Sequence, residues 1–260
     1  MAKPTGTLVL NTSHALYPNI VAMVIVESDG NVHELVTDLS LGIKLTAVVG
    51  GELGLAEAVT GVDLGLNHSS FLSDFNSGNG QFSQAFYGQT ETATWPAEVR
   101  QSRYGDTDSS WGGSYSLSFG TNNGGAGEIW RGWSGGAILG PNHSAQGVAG
   151  VPLLISSSTT ETSGAFSTQF YAGGVAKGSP NTLGFSTLYD VPRVGQHQYF
   201  NIQGTASFPQ IYGVIFDKAL SAAEWASLAA DPYGLVVAAS GGVAFQPAWA
   251  YNANTLIGGL

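Results

Sequence analysis

The sequence predicts an all-β protein in which two antiparallel sheets pack as a sandwich or jelly roll, with one short helix near the C-terminal end. Segments rich in β-branched and aromatic residues recur along the chain and are separated by short polar turns. The 37 glycines and 10 prolines supply residues for those turns. No helical pattern intervenes between the segments, which favours antiparallel over parallel pairing. At 260 residues the chain fits one large domain with a full core.

Several segments have strand character because they are bounded by Gly, Asn, Asp or Pro. The predicted strands are 7–11, 20–28, 80–88, 114–120, 128–133, 152–158, 165–174, 198–204 and 210–216. In the fourth, Tyr115, Leu117 and Phe119 alternate with serines, which indicates a half-buried strand. The apolar run IVAMVIV at 20–26 is far shorter than the roughly 20 residues of a membrane helix and is interpreted as a buried strand.

The clearest helix start lies in FDKALSAAEWASLAADPYGL, at residues 216–235. Ser221 is the predicted N-cap, and Glu224 completes a capping box with it. Leu220 and Trp225 have the spacing of a hydrophobic staple. The helix ends before Pro232, because proline cannot continue the hydrogen-bond ladder. A helix of about two turns is marginal alone, so it must pack on a larger surface.

These elements divide the chain into a jelly-roll domain over residues 1–235 and an extended apolar tail over residues 236–260. The tail has no charged residue, and its large apolar side chains are Phe245, Trp249, Ile257 and Leu260. We expect it to pack on another surface, either a neighbouring subunit or its own domain. If the tail is an assembly interface, truncation after Tyr233 should abolish assembly without unfolding the sandwich.

Composition excludes several functions. Only 10% of residues are charged and the formal net charge is −10, which disfavours adhesion to nucleic acid or to an anionic membrane. The chain has no cysteine, which excludes disulfides, thiolate metal sites and cysteine nucleophiles. The N-terminal MAKPTGTLVL lacks a sustained apolar core, so we expect no signal peptide.

Both ends of the predicted domain resemble a known family. QIYGVIFDKALSAAEWASLAADPYGL, at 210–235, resembles the closing strand and helix of laminin-G-like, concanavalin A-like jelly rolls. Residues 14–46 are similar to the opening of such domains in tailed-phage and bacterial proteins, except that VIV at 24–26 replaces the usual W-x-F step. The matching positions are His14, Leu16, Glu27, Gly30, Asp38, Leu39 and Ser40. The resemblance implies a lectin-like two-sheet jelly roll and a source in a tailed bacteriophage or prophage.

Catalytic motifs are scarce, so we expect a protein that is not an enzyme. A glycosidase needs two carboxylates that flank the scissile bond. The nearest spacing is Glu27-Ser-Asp29, which the following Gly30 makes more typical of a strand end and its turn. The sequence has no G-x-S-x-G elbow and no histidine pair at a helical metal spacing.

Two loops are candidates for calcium. Residues 73–81 place Asp74, Asn76 and Gly78 at alternate positions, and residues 104–113 do the same with Asp106 and Asp108. Oxygen-rich turns of this kind coordinate hard cations, but the same residues also form ordinary Asx turns. Neither loop has a bidentate glutamate at the expected distance. We therefore predict no cofactor, with calcium as the alternative.

Sugar binding would require aromatic rings beside amides and charged groups on exposed loops. The candidate carbohydrate-binding residues are Trp111, Asn122, Asn123, Trp130, Arg131 and Trp133. Because Trp130 and Trp133 are three residues apart, a regular strand would place them on opposite sides. Packing of a tryptophan in the sandwich core is the alternative interpretation.

The leading hypothesis is a non-enzymatic structural protein of a tailed-phage virion, decorating the capsid or forming another exposed part of the particle. Its partners would be other copies of itself, as in a trimer, and virion proteins such as the major capsid protein. The alternative is a carbohydrate-binding adhesin or tail-fibre module that recognises host glycans. Neither hypothesis involves nucleic acid or a membrane as a partner.

Overall fold

The structure is a computed structural model, and it describes part of the chain. The described backbone covers residues 2–36, 38–40, 47–49, 52–54, 62–66, 81–89, 100–106, 115–122, 125–132, 138–144, 151–162, 165–184, 198–203 and 210–239. Within it, side chains are described for residues 2–36, 38, 81–88, 151–160, 167–180 and 211–239.

Strands dominate these ranges, as the sequence predicts. The strands are β1 Leu8–Leu10, β2 Ile20–Val26, β3 Val32–Glu34, β4 Leu39–Ser40, β5 Ala47–Val49, β6 Glu52–Gly54, β7 Val62–Leu66, β8 Gln81–Gln89, β9 Arg100–Asp106, β10 Tyr115–Asn122, β11 Gly125–Gly132, β12 Ile138–Ser144, β13 Pro152–Thr162, β14 Ala165–Ala172, β15 Val175–Gly184, β16 Gln198–Gln203, β17 Gln210–Phe216 and β18 Val236–Ala238. The helices are a 3-10 turn at Tyr17–Asn19 and α1 at Ala222–Ala230. No helix in the described ranges has the length and apolar character of a membrane span.

Two large antiparallel sheets form the sandwich. The eight-stranded sheet has the order β15-β14-β13-β8-β17-β2-β3-β4, and the six-stranded sheet has the order β12-β11-β10-β9-β16-β7. β10 of the six-stranded sheet lies against β13 of the eight-stranded sheet, and the edge strands β12 and β15 approach each other. The all-β, two-sheet jelly-roll class predicted from the sequence is confirmed.

The eight-stranded sheet is buried on both faces. One face carries Ala85, Tyr87 and Val214 and belongs to a hydrophobic cluster with Trp225 and Leu228 of α1. Strand alternation places Phe82, Phe86, Ile155 and Phe170 on the opposite face, and each is at most 1% exposed. Since β10 lies against β13, the six-stranded sheet covers this second face.

Helix α1 forms as the sequence predicts. The Ser221 hydroxyl accepts a hydrogen bond from the Glu224 backbone N–H, and the Glu224 side chain accepts one from the Ser221 N–H. Asp231 is the C-cap, directly before Pro232. Leu220 and Trp225 are 2% and 0% exposed and belong to the same cluster. The helix is therefore stabilised by the sheet on which it packs.

The chain remains packed on the domain beyond residue 235. β18 pairs with β1, with Leu8 opposite Ala238 and Leu10 opposite Val236. Leu235 and Val236 are 0% and 3% exposed in the helix-side cluster. In contrast to the prediction from the sequence, we therefore expect truncation after Tyr233 to destabilise the sandwich, because that cut removes buried residues and a paired strand. The tail residues Phe245, Trp249, Ile257 and Leu260 lie outside the described residues.

Candidate functional site

The alternation predicted in β10 continues across the six-stranded sheet. Leu117 of β10 is opposite Ser102 of β9, which in turn is opposite Ile202 of β16. In the next row but one, Tyr115 is opposite Tyr104, which is opposite Phe200. Phe119 of β10 is opposite Ile129 of β11. These positions share one face of the sheet, which is mainly apolar but also carries Arg100, opposite Phe119, and Arg131, opposite Leu117.

The other face of the same strands has a different composition, and we call it the polar face. Up to the register shift after Gly120, its paired positions in the four central strands β9, β10, β11 and β16 are Gln101, Arg103, Gly105, Ser116, Ser118, Gly120, Glu128, Trp130, Gly132, Tyr199, Asn201 and Gln203. None of them is an aliphatic residue. Because a sandwich packs its apolar faces together, we expect the apolar face to be the inner one.

Two rows of the polar face contain most of its hydrogen-bonding residues. In one row, Trp130 is opposite Ser118, Ser118 is opposite Gln101, and Gln101 is opposite Gln203. The neighbouring row contains four residues that are opposite one another across the same strands: Gly132, Ser116, Arg103 and Asn201. Adjacent strands are about 4.8 Å apart, so each row spans roughly 14 Å. The two rows thus place one Trp, one Arg, one Asn, two Ser and two Gln positions on one face of the sheet within a span of that size.

The sequence-predicted sugar site is only partly within the described chain. Trp111, Asn123 and Trp133 lie outside the described residues. Trp130 is a position of the polar face, whereas the adjacent Arg131 is opposite Leu117 and so belongs to the apolar face. Asn122 is opposite Gly125, and it is four residues along β10 from Ser118, the partner of Trp130. The hairpin therefore separates Asn122 from Trp130 by roughly 14 Å along the strands.

Sequence reasoning missed the polar residues that β9 and β16 contribute to this face. β9 has no aliphatic residue, so propensity alone does not indicate a strand there. A signal was present in β16, whose QYFNIQ alternates Tyr199, Asn201 and Gln203 with Phe200 and Ile202. Such alternation is typical of a strand with one polar face.

The predicted calcium residues Asp74, Asn76, Gly78 and Asp108 lie outside the described residues. The backbone of Asp106 ends β9, opposite Gln198. Among the described residues, no three His, Asp or Glu side chains cluster as metal ligands would.

Two of the described carboxylates near the family-like opening, Glu27 and Asp29, accept hydrogen bonds from backbone N–H groups. Glu27 is 6% exposed, and its Oε1 accepts the Leu8 N–H at 2.8 Å and lies 3.5 Å from His33 Nδ1. His33 Nε2 is 3.0 Å from Asp38 Oδ1. Asp29 accepts the Asn31 N–H at 2.9 Å, as the interpretation of 27–30 as a strand end and turn requires. These contacts link the N-terminal segment to β2 and β3.

A tyrosine cluster below α1 is the other unusual group. The rings of Tyr87 and Tyr212 stack with centroids 5.4 Å apart, and Tyr233 packs edge-on against Tyr87. The Tyr212 hydroxyl is buried without a hydrogen-bond partner. Burial, with smaller contributions from Tyr87 and Asp231, raises the pKa of Tyr212. The phenol is thus held neutral inside the core.

Comparisons with known proteins identify the fold. A scan against family models finds no match, and a search of curated proteins finds none either. Among solved structures, the sialidase of Trypanosoma rangeli in complex with sialic acid has a TM-score of 0.51 and 12% identity over 82% of this chain and 33% of that one. The same sialidase with the inhibitor DANA has a TM-score of 0.51 and 13% identity over 81% of this chain and 32% of that one.

The chain spans about a third of the length of these sialidases. The CBM40 domain of the Ruminococcus gnavus IT-sialidase, bound to α2,3-sialyllactose, has a TM-score of 0.44 and 12% identity over 68% of this chain and 95% of that one. That score is too low to support an argument. At these identities the likeness to the sialidases establishes the β-sandwich fold alone.

Proposed function

We propose that this domain is a carbohydrate-binding module that acts without catalysis and binds a glycan on the polar face. The composition of that face is the observation on which the proposal depends. A ring such as that of Trp130 offers an apolar surface with a polar edge, as the two-sided surface of a sugar requires. The amides and hydroxyls of Gln101, Ser118 and Asn201 are both donors and acceptors, as sugar hydroxyls are.

The sandwich fold supports this proposal by analogy. The Trypanosoma rangeli sialidase, whose structure shares this fold, is described in complex with sialic acid. Fold alone does not carry function, so the polar face remains the basis of the proposal.

Binding without turnover is proposed because the buried carboxylates that the structure describes are engaged by the backbone. Glu27 accepts the Leu8 N–H, and Glu34 accepts the N–H groups of Met23 and Val36 at 3.0 and 3.2 Å. A retaining or inverting glycosidase would instead need two carboxyl groups free to face a sugar bond. Fluorogenic glycosides incubated with the protein should release no fluorophore, and release at an enzymatic rate would contradict the proposal.

A glycan array tests binding directly. Wild-type protein should bind a defined set of glycans, and Trp130→Ala and Asn201→Ala should each lower that binding at least about tenfold, since stacking and hydrogen bonds to a ligand each contribute on the order of 1 kcal/mol or more. Val175→Ala is the matched control, because Val175 is 61% exposed on edge strand β15 of the other sheet. Unchanged binding by Trp130→Ala would exclude the polar face.

A second candidate function is a structural role in a tailed-phage virion, with the protein itself and the major capsid protein as partners. The observation that favours it is the resemblance of both ends of the domain to phage jelly rolls, together with the low charge content. Quantitative mass spectrometry of particles tests it. A copy number near that of the capsid protein, or a symmetric fraction of it, supports decoration, and a few copies support a tail or fibre part. Absence from particles would contradict a virion role.

A further inference from the structure

Strand β15 is an edge strand of the eight-stranded sheet, and among the described strands it pairs with β14. An edge strand presents a row of backbone N–H and C=O groups that can add a strand from another molecule. The first half of β15 lies open to such an approach, because Val175 is 61% exposed. The exposed residues that follow it are Ala176, Gly178, Ser179 and Pro180. This part of the strand is therefore where a second copy of the chain would pair.

A bulge interrupts β15 within this open part. Lys177 is opposite Phe170 of β14, and Asn181 is opposite Thr168. Residues 178–180 therefore face a single residue of β14, which is two residues more than a regular ladder would place there. Because side chains alternate with a period of two, an insertion of two residues leaves the later side chains on their proper faces. The bulge thus changes the outer edge of the strand without reversing its faces.

The residue of β14 opposite the bulge is Gln169, and its side chain holds the bulge closed. The Gln169 Nε2 group donates to the carbonyl oxygens of Phe170, Lys177 and Gly178 at 3.0, 3.1 and 3.2 Å. Two amide hydrogens are thus shared among three acceptors. Gly178 has φ +61°, a left-handed conformation that favours glycine. The Gly178 carbonyl is therefore bonded to the adjacent strand.

The turn before β15 determines which of its residues would point outward. Gly173 and Gly174 have φ +57° and +77°, as a two-residue type I′ hairpin requires. The residues that flank such a turn form a hydrogen-bonded pair, here Ala172 and Val175. Bonded and non-bonded pairs alternate in an antiparallel ladder, so every second residue after Val175 would point its backbone groups away from β14. In a regular strand these outward positions would be 176, 178 and 180.

The bulge makes two of these three positions unsuitable for pairing. The Gly178 carbonyl is bonded to Gln169, and Pro180 has no N–H to donate. Of the three, only Ala176 keeps both backbone groups that a ladder uses, whereas strands usually extend over about three residues or more. We propose that Gln169 and the bulge at 178–180 close this edge to strand addition, so that a second copy of this chain does not extend the eight-stranded sheet through β15.

A variant with a regular β15 tests the proposal. Deletion of Ser179 and Pro180 together with Gly178→Thr leaves one residue opposite position 169, and Gln169→Val in the same chain removes the amide that closes the bulge. We call this chain the regular-strand variant. In sedimentation velocity over a range of concentrations it should self-associate at least about tenfold more tightly than the wild type. Association through other surfaces is common to both chains, so the difference reports on β15.

Two further variants keep the test decisive. Ala176→Pro, added to the regular-strand variant, removes an outward N–H and should return self-association to the wild-type level. Gln169→Val with Pro180→Val contains no deletion and should associate at least about threefold more tightly than the wild type. This second variant decides the matter if circular dichroism shows that the deletion prevents folding.

Two results would overturn the role of the bulge. The first is self-association of the folded variants that is no tighter than that of the wild type. The second is tighter association that persists after Ala176→Pro, because contact through the edge of β15 would then not be its cause.

Discussion

At the scale of single residues, a buried hydroxyl network attaches α1 to the sheet. Trp225 Nε1 donates to Ser158 Oγ at 2.8 Å, and Ser158 Oγ donates to the Leu220 carbonyl at 2.6 Å. The Leu220 N–H donates to Ser83 Oγ at 2.8 Å, and Ser83 Oγ donates to Ser158 Oγ at 3.1 Å. Every member thus has a partner within the buried core, where an unmade hydrogen bond is costly.

Replacing Ser158 should therefore destabilise the protein. Ser158→Ala leaves the Trp225 N–H and the Leu220 carbonyl without this partner, at a cost of about 1–3 kcal/mol in the free energy of unfolding. Ser156→Ala is the matched control, because Ser156 is also buried on β13, on the same face, yet its hydroxyl has no partner. Urea unfolding should show a loss for Ser158→Ala alone, and equal losses in the two variants would contradict the role of the network.

Tyr212 gives a prediction about alkaline pH. Burial raises the pKa of Tyr212 in the folded protein, so the folded state keeps a proton that the unfolded state releases near pH 10. The contribution of Tyr212 to stability is complete below pH 10 and falls above it, by about 1.4 kcal/mol per pH unit. Tyr212→Phe should change stability little at pH 7, since the hydroxyl has no partner. It should flatten the decline above pH 10 in denaturant titrations, and a slope equal to that of the wild type would contradict this.

At the scale of elements, α1 fits against the turn between β14 and β15. Gly174 has φ +77°, and a Cβ there would lie 2.7 Å from Ala226 Cα and 2.9 Å from both Ala229 Cβ and the Trp225 carbonyl oxygen. The neighbouring Gly173 has φ +57°, and its nearest atom to such a Cβ is Leu153 Cδ1 at 3.6 Å. Two adjacent glycines therefore share a left-handed conformation but differ in available space.

Alanine substitutions at these two positions separate the cost of the left-handed backbone from the cost of a steric clash with α1. Gly173→Ala should cost about 1–2 kcal/mol for the left-handed backbone. Gly174→Ala should cost about 1–3 kcal/mol more, because the helix must move away from the turn. Thermal unfolding of both variants measures the difference, and similar melting temperatures would mean that α1 tolerates displacement.

The same elements show what could be predicted from the sequence. The capping box and staple of α1 were predictable because Leu220, Ser221, Glu224 and Trp225 are within a few residues of one another. The bond between Trp225 and Ser158 joins residues 67 positions apart, and no local pattern indicates it. β9 could not be predicted because its strand conformation depends on pairing with β10 and β16. For the same reason, the polar face became visible only from the register.

At the scale of the whole molecule, residues beyond the predicted boundary at 235 contact the N-terminal segment of the domain. Asn11 Nδ2 donates to the Gly234 carbonyl at 2.9 Å, and the Ala239 N–H donates to the Thr7 carbonyl at 2.8 Å. Residues 234–239 are thus bonded to the N-terminal segment. The sandwich, the helix layer and this closing pair of strands form one continuous packed unit.

Two truncations test where the domain ends. A chain ending at Ala239 keeps Leu235, Val236 and β18, so its melting temperature should match that of the full chain. A chain ending at Tyr233 loses both buried side chains and should lose several kcal/mol of stability, at about 1.5–3 kcal/mol for each. Sedimentation of the first chain also tests the tail as an assembly contact. An oligomer that survives removal of 240–260 would contradict that role.

The antiparallel pairing of β1 with β18 has a mechanical consequence. The chain enters β1 at Thr7 and leaves β18 at Ala239, and these two residues lie side by side at the same end of the pair. Tension applied between these two points would load the cross-strand hydrogen bonds one after another, as in unzipping, instead of all together in shear. Opening would begin at Leu8 and Ala238 and would progressively uncover Val236 and the helix-side core. A domain pulled between these two points should therefore begin to open at low force.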